Sequence, residues 1–483
     1  MYNNDYTISP GGHIHLMGIC GVAMSSIAGM LKEKGYTITG SDHNMYPPIS
    51  TFLKKLSIPV EKGYSPSNLR PAPDLVIVGN VITKDNPEAA ELMRIGVPYL
   101  SMPQALKNFA FDKKKSIVVA GTHGKTTTSA LIAWILEVAG MEPSFMIGGI
   151  AKNFNSNFKS NEGSYFVIEG DEYDTAFFDK GPKFMHYNPY ITVITSIEFD
   201  HADIYKDLKE IKTSFENLVE IIPVDGLLCV NRDDPGILDT IKQARCSLTT
   251  YAISREANLK IGHKMISKEK THLTVLKESE PFLNLVTDLY GEYNFSNILA
   301  AVSVAHYLGV NDEIIFKAIE TFTGVKRRLD KLGEVNDVLI IDDFAHHPTA
   351  VRETIKAVKG HYKSRRVVAV FEPRSNSSRR NIFQEAYAAS FNDADLVIIP
   401  EPPMMSKIPL QERFSPYRLV NDLRKRGIES HYFSNTNDLF NGLLALTKKG
   451  DVILFMSNGA FDNIQERFFQ RLKGKKGGSP GPH

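Results

Sequence analysis

The stretch VVAGTHGKTTTSALIAWILEVAG, Val118 to Gly140, runs from an apolar segment through a glycine-framed turn into a lysine, three threonines and a helical pattern. That order reads as strand, phosphate-holding loop and helix. The spacing is unusual, because Val119 stands where the common G-x-x-x-x-G-K loop has its first glycine. Gly121 and Gly124 frame only Thr122 and His123. Lys125 supplies a point charge for the β- and γ-phosphates, and Thr126 a hydroxyl suited to Mg²⁺. Thr127 and Thr128 add donors in the first helical turn, where free backbone N–H groups also face an anion. ATP with Mg²⁺ is the ligand these residues imply.

Working outward, the 483 residues suggest about three domains. The first segment alternates strands (HIHLMGI, YTITGSD, DLVIVGN, VPYLS) with helical stretches, a βαβ pattern with a parallel sheet. The pattern restarts at FDKKKSIVVAG and continues through YFVIEGDE, YITVITSI and GLLCVN. Tyr251–Leu285 alternates polar and apolar residues, as a small antiparallel patch does, and GEYNFSNILAAVSVAHYLG reads as a helix with small residues on one side. A third unit holds VLIIDDFAHHP, RRVVAVFEP, ADLVIIP and DVILFMSNG. The expected fold class is α/β in three domains: a Rossmann-like N-terminal domain (1–112), a central P-loop ATPase-like domain (113–325) and a C-terminal doubly wound α/β domain (326–475). The Gly/Pro-rich residues 476–483 are expected to be a disordered tail.

Composition narrows the function. A net charge of +1 gives no electrostatic reason to expect nucleic acid or an anionic membrane as partner. Three scattered cysteines make neither a disulfide framework nor a metal knuckle and fit a reducing cytoplasm. The N-terminus lacks the basic and apolar regions of a signal peptide, and no apolar run is long enough to span a bilayer.

Several polar clusters follow strands. Gly18 and Gly21 in HLMGICGVAM make a G-x-x-G turn, either a tight connection or a cradle for a nucleotide diphosphate, with Asp42 placed for a ribose hydroxyl. The three-glycine dinucleotide fingerprint is incomplete, which argues against a nicotinamide-dependent dehydrogenase. Glu169, ending an apolar run, is placed to hold Mg²⁺; Glu172 and Asp174 read as parts of a solvated acidic turn. His201 is open between a structural role and a metal or phosphate role. Arg327 and Arg328, at a domain junction, read as a phosphate clamp or as a solvated basic turn. Asp342, Asp343, His346 and His347 suggest a nucleotide-facing loop, His-His-Pro without cysteines being a weak zinc signal. Arg374, beside Ser375 and Asn376, suits a substrate carboxylate. The intact set of Lys125, Thr126 and Glu169 argues against a non-catalytic nucleotide-binding module.

Together these motifs resemble the Mur ligases, cytoplasmic bacterial enzymes that use ATP to join amino acids or peptides to a UDP-sugar. The resemblance runs from HIHLMGICGVAM to MSNGAF, and GTHGKTTT is that family's form of the loop. Within the family, GICGVAM, GSDHNMYPPIS, IEGDEYDTAFFDK, EFDHADIY, DDFAHHPTAV and EPRSNS resemble the peptidoglycan-recycling branch. That branch attaches the tripeptide L-alanyl-γ-D-glutamyl-meso-diaminopimelate to UDP-N-acetylmuramate; the L-alanine-adding branch is the alternative. The resemblance implies a site. Gly121, Thr122, His123, Gly124, Lys125, Thr126 and Thr127 would hold ATP phosphates, with Asn294 at adenine and Arg328 and Asp343 at phosphate and ribose. Thr126 and Glu169 would bind one Mg²⁺ and His201 a second, while Lys125, Glu169 and His201 would carry catalysis. Gly18, Gly21 and Asp42 would meet the UDP part; Asn153 and Asn155, in GGIAKNFNSN, the muramyl side; and Arg374, Ser375 and Asn376 the peptide. Lys212 falls slightly early for the carbamylated lysine of some members, so no carbamate is expected. His346 or His347 is the candidate base for the amine, and a monomer or weak homodimer is expected.

Overall fold

A computed structural model describes residues 8–45, 49–111, 113–202, 204–267 and 270–474. The boundary expected at Asp112, the Tyr46–Pro48 part of YPPIS and the tail 476–483 lie outside the described residues.

Among the described residues, three large sheets carry the chain, with a two-stranded ribbon of Asp174–Ala176 and Asp179–Pro182 beside them. The N-terminal sheet has five parallel strands in the order Val60–Lys62, Thr37–Asp42, His13–Met17, Leu75–Val78, Tyr99–Ser101. The first strand lies at its centre, as in a doubly wound nucleotide fold. The central sheet has ten strands, and Lys115–Ala120 pairs in parallel with both Pro189–Ile194 and Tyr165–Gly170. The alternating segment after Tyr251 is antiparallel as expected: Leu259–Ser267, Lys270–Lys277 and Glu280–Thr287 pair antiparallel with one another and continue one edge of this sheet. The C-terminal sheet has six strands, parallel except for the edge strand Asp330–Val335.

Strand Lys115–Ala120 explains the layering. Its four apolar residues are fully buried on both faces, which is why they form an uninterrupted run. Ile117 and Val119 face a core shared with helices Lys125–Val138 and Glu292–Tyr307. Ala130, Ala133, Ala300 and Ala301 lie fully buried in that core. Val118 and Ala120 face the other way, into a core that continues without a break into the N-terminal domain. Aromatic rings line this seam: Phe111 lies 4.7 Å from Phe166, and Phe52 lies 5.8 Å from Phe158. Such pairs add about 0.5–1.5 kcal/mol each beyond their burial. The C-terminal domain has its own cores, one on each face of its sheet.

Candidate active site

The phosphate loop is shaped by its glycines. Gly121 has φ of +129°, and a Cβ there would sit 2.2 Å from Thr195 Oγ1. Gly124, at φ +82°, caps the helix that starts at Lys125, and a Cβ there would strike Asn297 Oδ1. Neither position admits a side chain, so the loop passes tightly under the strand end at Thr195 and Ser196. Thr122 N donates to Ser196 O at 2.9 Å, and His123 N to Ser196 Oγ at 3.0 Å.

The loop opens into a cavity of about 1310 Å³ bordered by all three domains. That exceeds the roughly 300–1,000 Å³ of a single small-molecule pocket. Gly21 and Val22 come from the N-terminal domain, Lys125 and Glu169 from the central one, and Arg328 and Asp343 from the C-terminal side. Thr122, His123, Gly124, Thr126, Thr127, His201, Asn294 and His346 also border it.

Lys125 Nζ donates to Gly121 O at 2.6 Å and lies 3.4 Å from Glu172 Oε2. Burial works against its charge, but Glu172, Asp171 and Glu169 outweigh it and raise the pKa, so the ammonium persists. Glu172 also lies 3.5 Å from His201 Nε2. Its carboxyl is held low against burial by Lys125 and His201, and Glu172, with Asp200, raises His201 in turn against burial and Lys125. The reading of Glu172 as a solvated acidic residue is therefore wrong: it is 3% exposed and links the lysine to the histidine. Asp174 pairs with Lys180 near the surface, as a solvated residue does. Glu169 Oε1 accepts Gly148 N–H at 2.5 Å, while burial and Asp171 push its pKa up. Arg328 Nη2 donates to Thr126 Oγ1 at 3.2 Å from across the domain junction. Asp343 accepts the backbone N–H groups of Leu329 and Ala345.

The two junction arginines divide. Arg328 reaches the cavity, whereas Arg327 turns into the C-terminal domain, binding Asp342, Ser457 O and Gly459 O. Thr128 points its hydroxyl at Asn297 instead of the loop. Asp42 is buried, with one oxygen on Cys20 N and the other on Asn44 N, so it pins the glycine turn that holds Gly18. Asn153 does not border the cavity; it joins the turn after strand Ser144–Ala151 to Thr321 O and Thr323 N at the end of helix Asp312–Thr321, and Asn155 sits in the same turn at φ +50°. Arg374, Ser375 and Asn376 are not among the residues that border the cavity. Arg374 packs on Gly459 and approaches Glu372 at 3.4 Å, Ser375 bonds Ser378, and Asn376 accepts from Arg379. His346 Nδ1 lies 3.0 Å from Phe344 O, which requires the proton on Nδ1 and leaves Nε2 as an acceptor. His347 instead caps the following helix through Thr349 N. Lys212 borders the cavity and pairs with Asp239 at 3.6 Å.

Sequence reasoning missed Lys183. It is buried at the cavity edge, 3.1 Å from Asp171 and 4.0 Å above the Tyr173 ring. Its place in an amphipathic-looking GPKF turn gave no signal.

Three family models match the chain: "Mur ligase family, catalytic domain" over residues 13–114, "Mur ligase middle domain" over 119–305, and "Mur ligase, glutamate ligase domain" over 327–459. The chain is 37% identical to the UDP-N-acetylmuramate–L-alanyl-γ-D-glutamyl-meso-2,6-diaminoheptandioate ligase of Escherichia coli, over 96% of this chain and 98% of that protein. It is 31% identical to the UDP-N-acetylmuramate–L-alanine ligase of Clostridium tetani, over 92% of this chain and 95% of that one. The crystal structure of a murein peptide ligase from Psychrobacter arcticus matches with a TM-score of 0.72 and 33% identity, covering 96% of this chain and 99% of that one.

Proposed function

The chain belongs to the Mur ligase family, and from that premise we propose that it joins L-alanyl-γ-D-glutamyl-meso-diaminopimelate to UDP-N-acetylmuramate at the expense of ATP. One observation carries the ligase reading: a single cavity takes its walls from all three domains and has Lys125, Glu169 and Arg328 around one phosphate loop. The acceptor follows the relative of higher identity, at 37% against 31%. The setting would be the cytoplasm of a bacterium, among no membrane or nucleic-acid partners, as a monomer or weak homodimer. Among the described residues, no helix is long and apolar enough to cross a membrane.

The chemistry needs an activated carboxylate. A lactyl oxygen attacks the γ-phosphorus of ATP, the bond to the bridging oxygen breaks, and ADP leaves. Lys125, freed from Gly121 O, follows the transferring phosphoryl group and offsets its charge. Arg328 approaches the same oxygens from the C-terminal side, with its plane over Phe344 at 4.6 Å. The peptide amine then attacks the acyl carbon, and phosphate departs. His346 Nε2 is free to take the amine proton, and burial keeps that ring neutral by lowering its pKa.

Mg²⁺ fits the residues at the loop. Glu169 is a half-buried carboxylate whose pKa is pushed up by desolvation and by Asp171, and Thr126, on the same cavity, adds a second hard oxygen donor. Thr126 and Glu169 would hold the ion, with His201 at a second position. When bound, the ion supplies charge neutralisation on the phosphates. Asn294 would meet adenine and Asp343 the ribose, from the two sides of the cavity.

The test supplies UDP-N-acetylmuramate, ATP and Mg²⁺ with either the tripeptide or L-alanine and follows phosphate release. Faster release with the tripeptide is expected; faster release with L-alanine would overturn the acceptor.

A further inference from the structure

At one wall of the cavity, where the central and C-terminal domains meet, His123 and Glu198 line the space and His347 lies just behind them, and the proposed ligation gives Glu198 and His347 no part. His123 Nε2 and His347 Nδ1 each lie 3.6 Å from Glu198 Oε2, and all three atoms lie within 4.8 Å of one another. We infer that His123, Glu198 and His347 form a site for a divalent transition metal of the zinc type, which fastens the central domain to the C-terminal domain.

Geometry and donor chemistry both point there. Two imidazole nitrogens and one carboxylate suit Zn²⁺, Co²⁺ or Ni²⁺ and not Mg²⁺, which takes oxygen. In a tetrahedral zinc site with bonds of about 2.0–2.1 Å, ligand atoms stand roughly 3.3 Å apart. Two of the three separations are already within a few tenths of an ångström of that value. Three protein ligands also leave a fourth position for water or an incoming oxyanion.

The surroundings match what metal-binding histidines need. His347 Nδ1 accepts the Thr349 N–H, so the ring proton sits on Nε2, which faces Phe199 O at 3.2 Å. A ligating histidine characteristically donates its other N–H to such a carbonyl. The contact with Thr349 N is long, at 3.3 Å, and therefore weak. Glu198 Oε2 is oriented by the Thr349 hydroxyl at 2.7 Å. His123 Nε2 is buried at the atom and has no hydrogen-bond partner. Its nearest acceptor, Glu198 Oε2 at 3.6 Å, lies just beyond hydrogen-bond reach, and a cation between that ring, the carboxylate and His347 would join all three. His123 and Glu198 belong to the central domain and His347 to the C-terminal one. A bound metal therefore stabilises the juxtaposed arrangement of those domains.

The experiment titrates the full-length, metal-stripped protein with Zn²⁺ in competition with a chromophoric chelator, and with Co²⁺ by visible absorption. One tight site is expected, with a tetrahedral cobalt band, and it should survive in His201→Ala, which removes the other candidate metal ligand. His347→Ala and Glu198→Gln should weaken it at least ~100-fold, and Thr349→Val, which alters only the supporting hydroxyl, about tenfold. Circular dichroism checks each variant; if His347→Ala does not fold, Glu198→Gln and Thr349→Val carry the test. Absence of Zn²⁺ binding, binding lost in His201→Ala, or binding unchanged in the folded variants overturns the assignment.

Discussion

The central domain meets its two neighbours in opposite ways. Toward the N-terminal domain it shares one apolar core, running from Ile14 and Leu16 through Phe109 and Phe111 to Phe166 and Ile168. Toward the C-terminal domain it offers polar groups: Arg328 on Thr126, Thr349 on Glu198, His347 on Phe199 O, and Lys152 on Asp330 at 2.5 Å. Burial is worth roughly 25 cal/mol per Å² and falls off only when water enters, so the first seam behaves as part of a folded core. A polar contact exchanges with water for about 1 kcal/mol, so the second seam parts cheaply. The cavity takes walls from all three domains, and of its two junctions only the polar one can part cheaply; on the proposed function, that is the one expected to open for substrates and close against water.

The largest effect tests the cavity itself. Lys125→Ala should lower kcat at least ~10³-fold with either acceptor while both seams stay folded. Initial rates of phosphate release check it, and retention of a tenth of the activity would refute the loop's role. Next comes the apolar seam. Phe166→Ala should cost about 3–5 kcal/mol. Urea unfolding followed by Trp134 fluorescence and by circular dichroism should shift together, because the N-terminal and central domains share that core. Two separated transitions would break the comparison.

The polar seam should answer to pH. Burial opposes ionisation of Glu198, but His123 at 3.6 Å, with the Thr349 hydroxyl and His347, holds it down at about 2 against an ordinary 4.5. A depressed carboxylate gives stability that is present above pH 4.5 and lost as pH falls through about 2. Because the group is partly exposed, the size is on the order of 2 kcal/mol after screening is discounted. Glu198→Gln, melted in chelating buffer, should flatten the acid limb of stability in that window; an unchanged limb would show that the carboxylate does not act there. The smallest effect concerns Asn153. Asn153→Ala should cost about 1 kcal/mol of stability through its lost bonds to Thr321 and Thr323, and leave the KM for UDP-N-acetylmuramate unchanged. A tenfold rise in KM would restore it to the sugar side.

Legibility followed sequence distance. The loop from Val118 to Lys125 announced itself because strand, glycines, lysine and helix are contiguous, and the three-domain order followed from repeated strand–helix alternation. GEYNFSNILAAVSVAHYLG likewise read as a helix with small residues on one side, and Glu292–Tyr307 is that helix, with Ala300 and Ala301 in the shared core. Glu172 was misread because DEYD looks solvated in isolation; only the approach of Lys125 and His201 from other strand ends buries it. Asp42 looked free for a ribose, yet its carboxylate is committed to amides of its own turn. Arg327 and Arg328 are adjacent and alike, and backbone geometry alone sends one inward and one to the cavity: Arg327 sits at φ +61°. The His123, Glu198 and His347 group spans three distant segments, so no local spacing could reveal it.

The central claim is that the cavity makes an acyl phosphate. UDP-N-acetylmuramate carrying ¹⁸O in its lactyl carboxylate should be turned over with unlabelled ATP and the tripeptide, and the released phosphate examined by mass spectrometry. One labelled oxygen per phosphate is the predicted result, because the carboxylate oxygen that attacks phosphorus leaves with it. Unlabelled phosphate from turned-over, correctly ligated product would contradict the account.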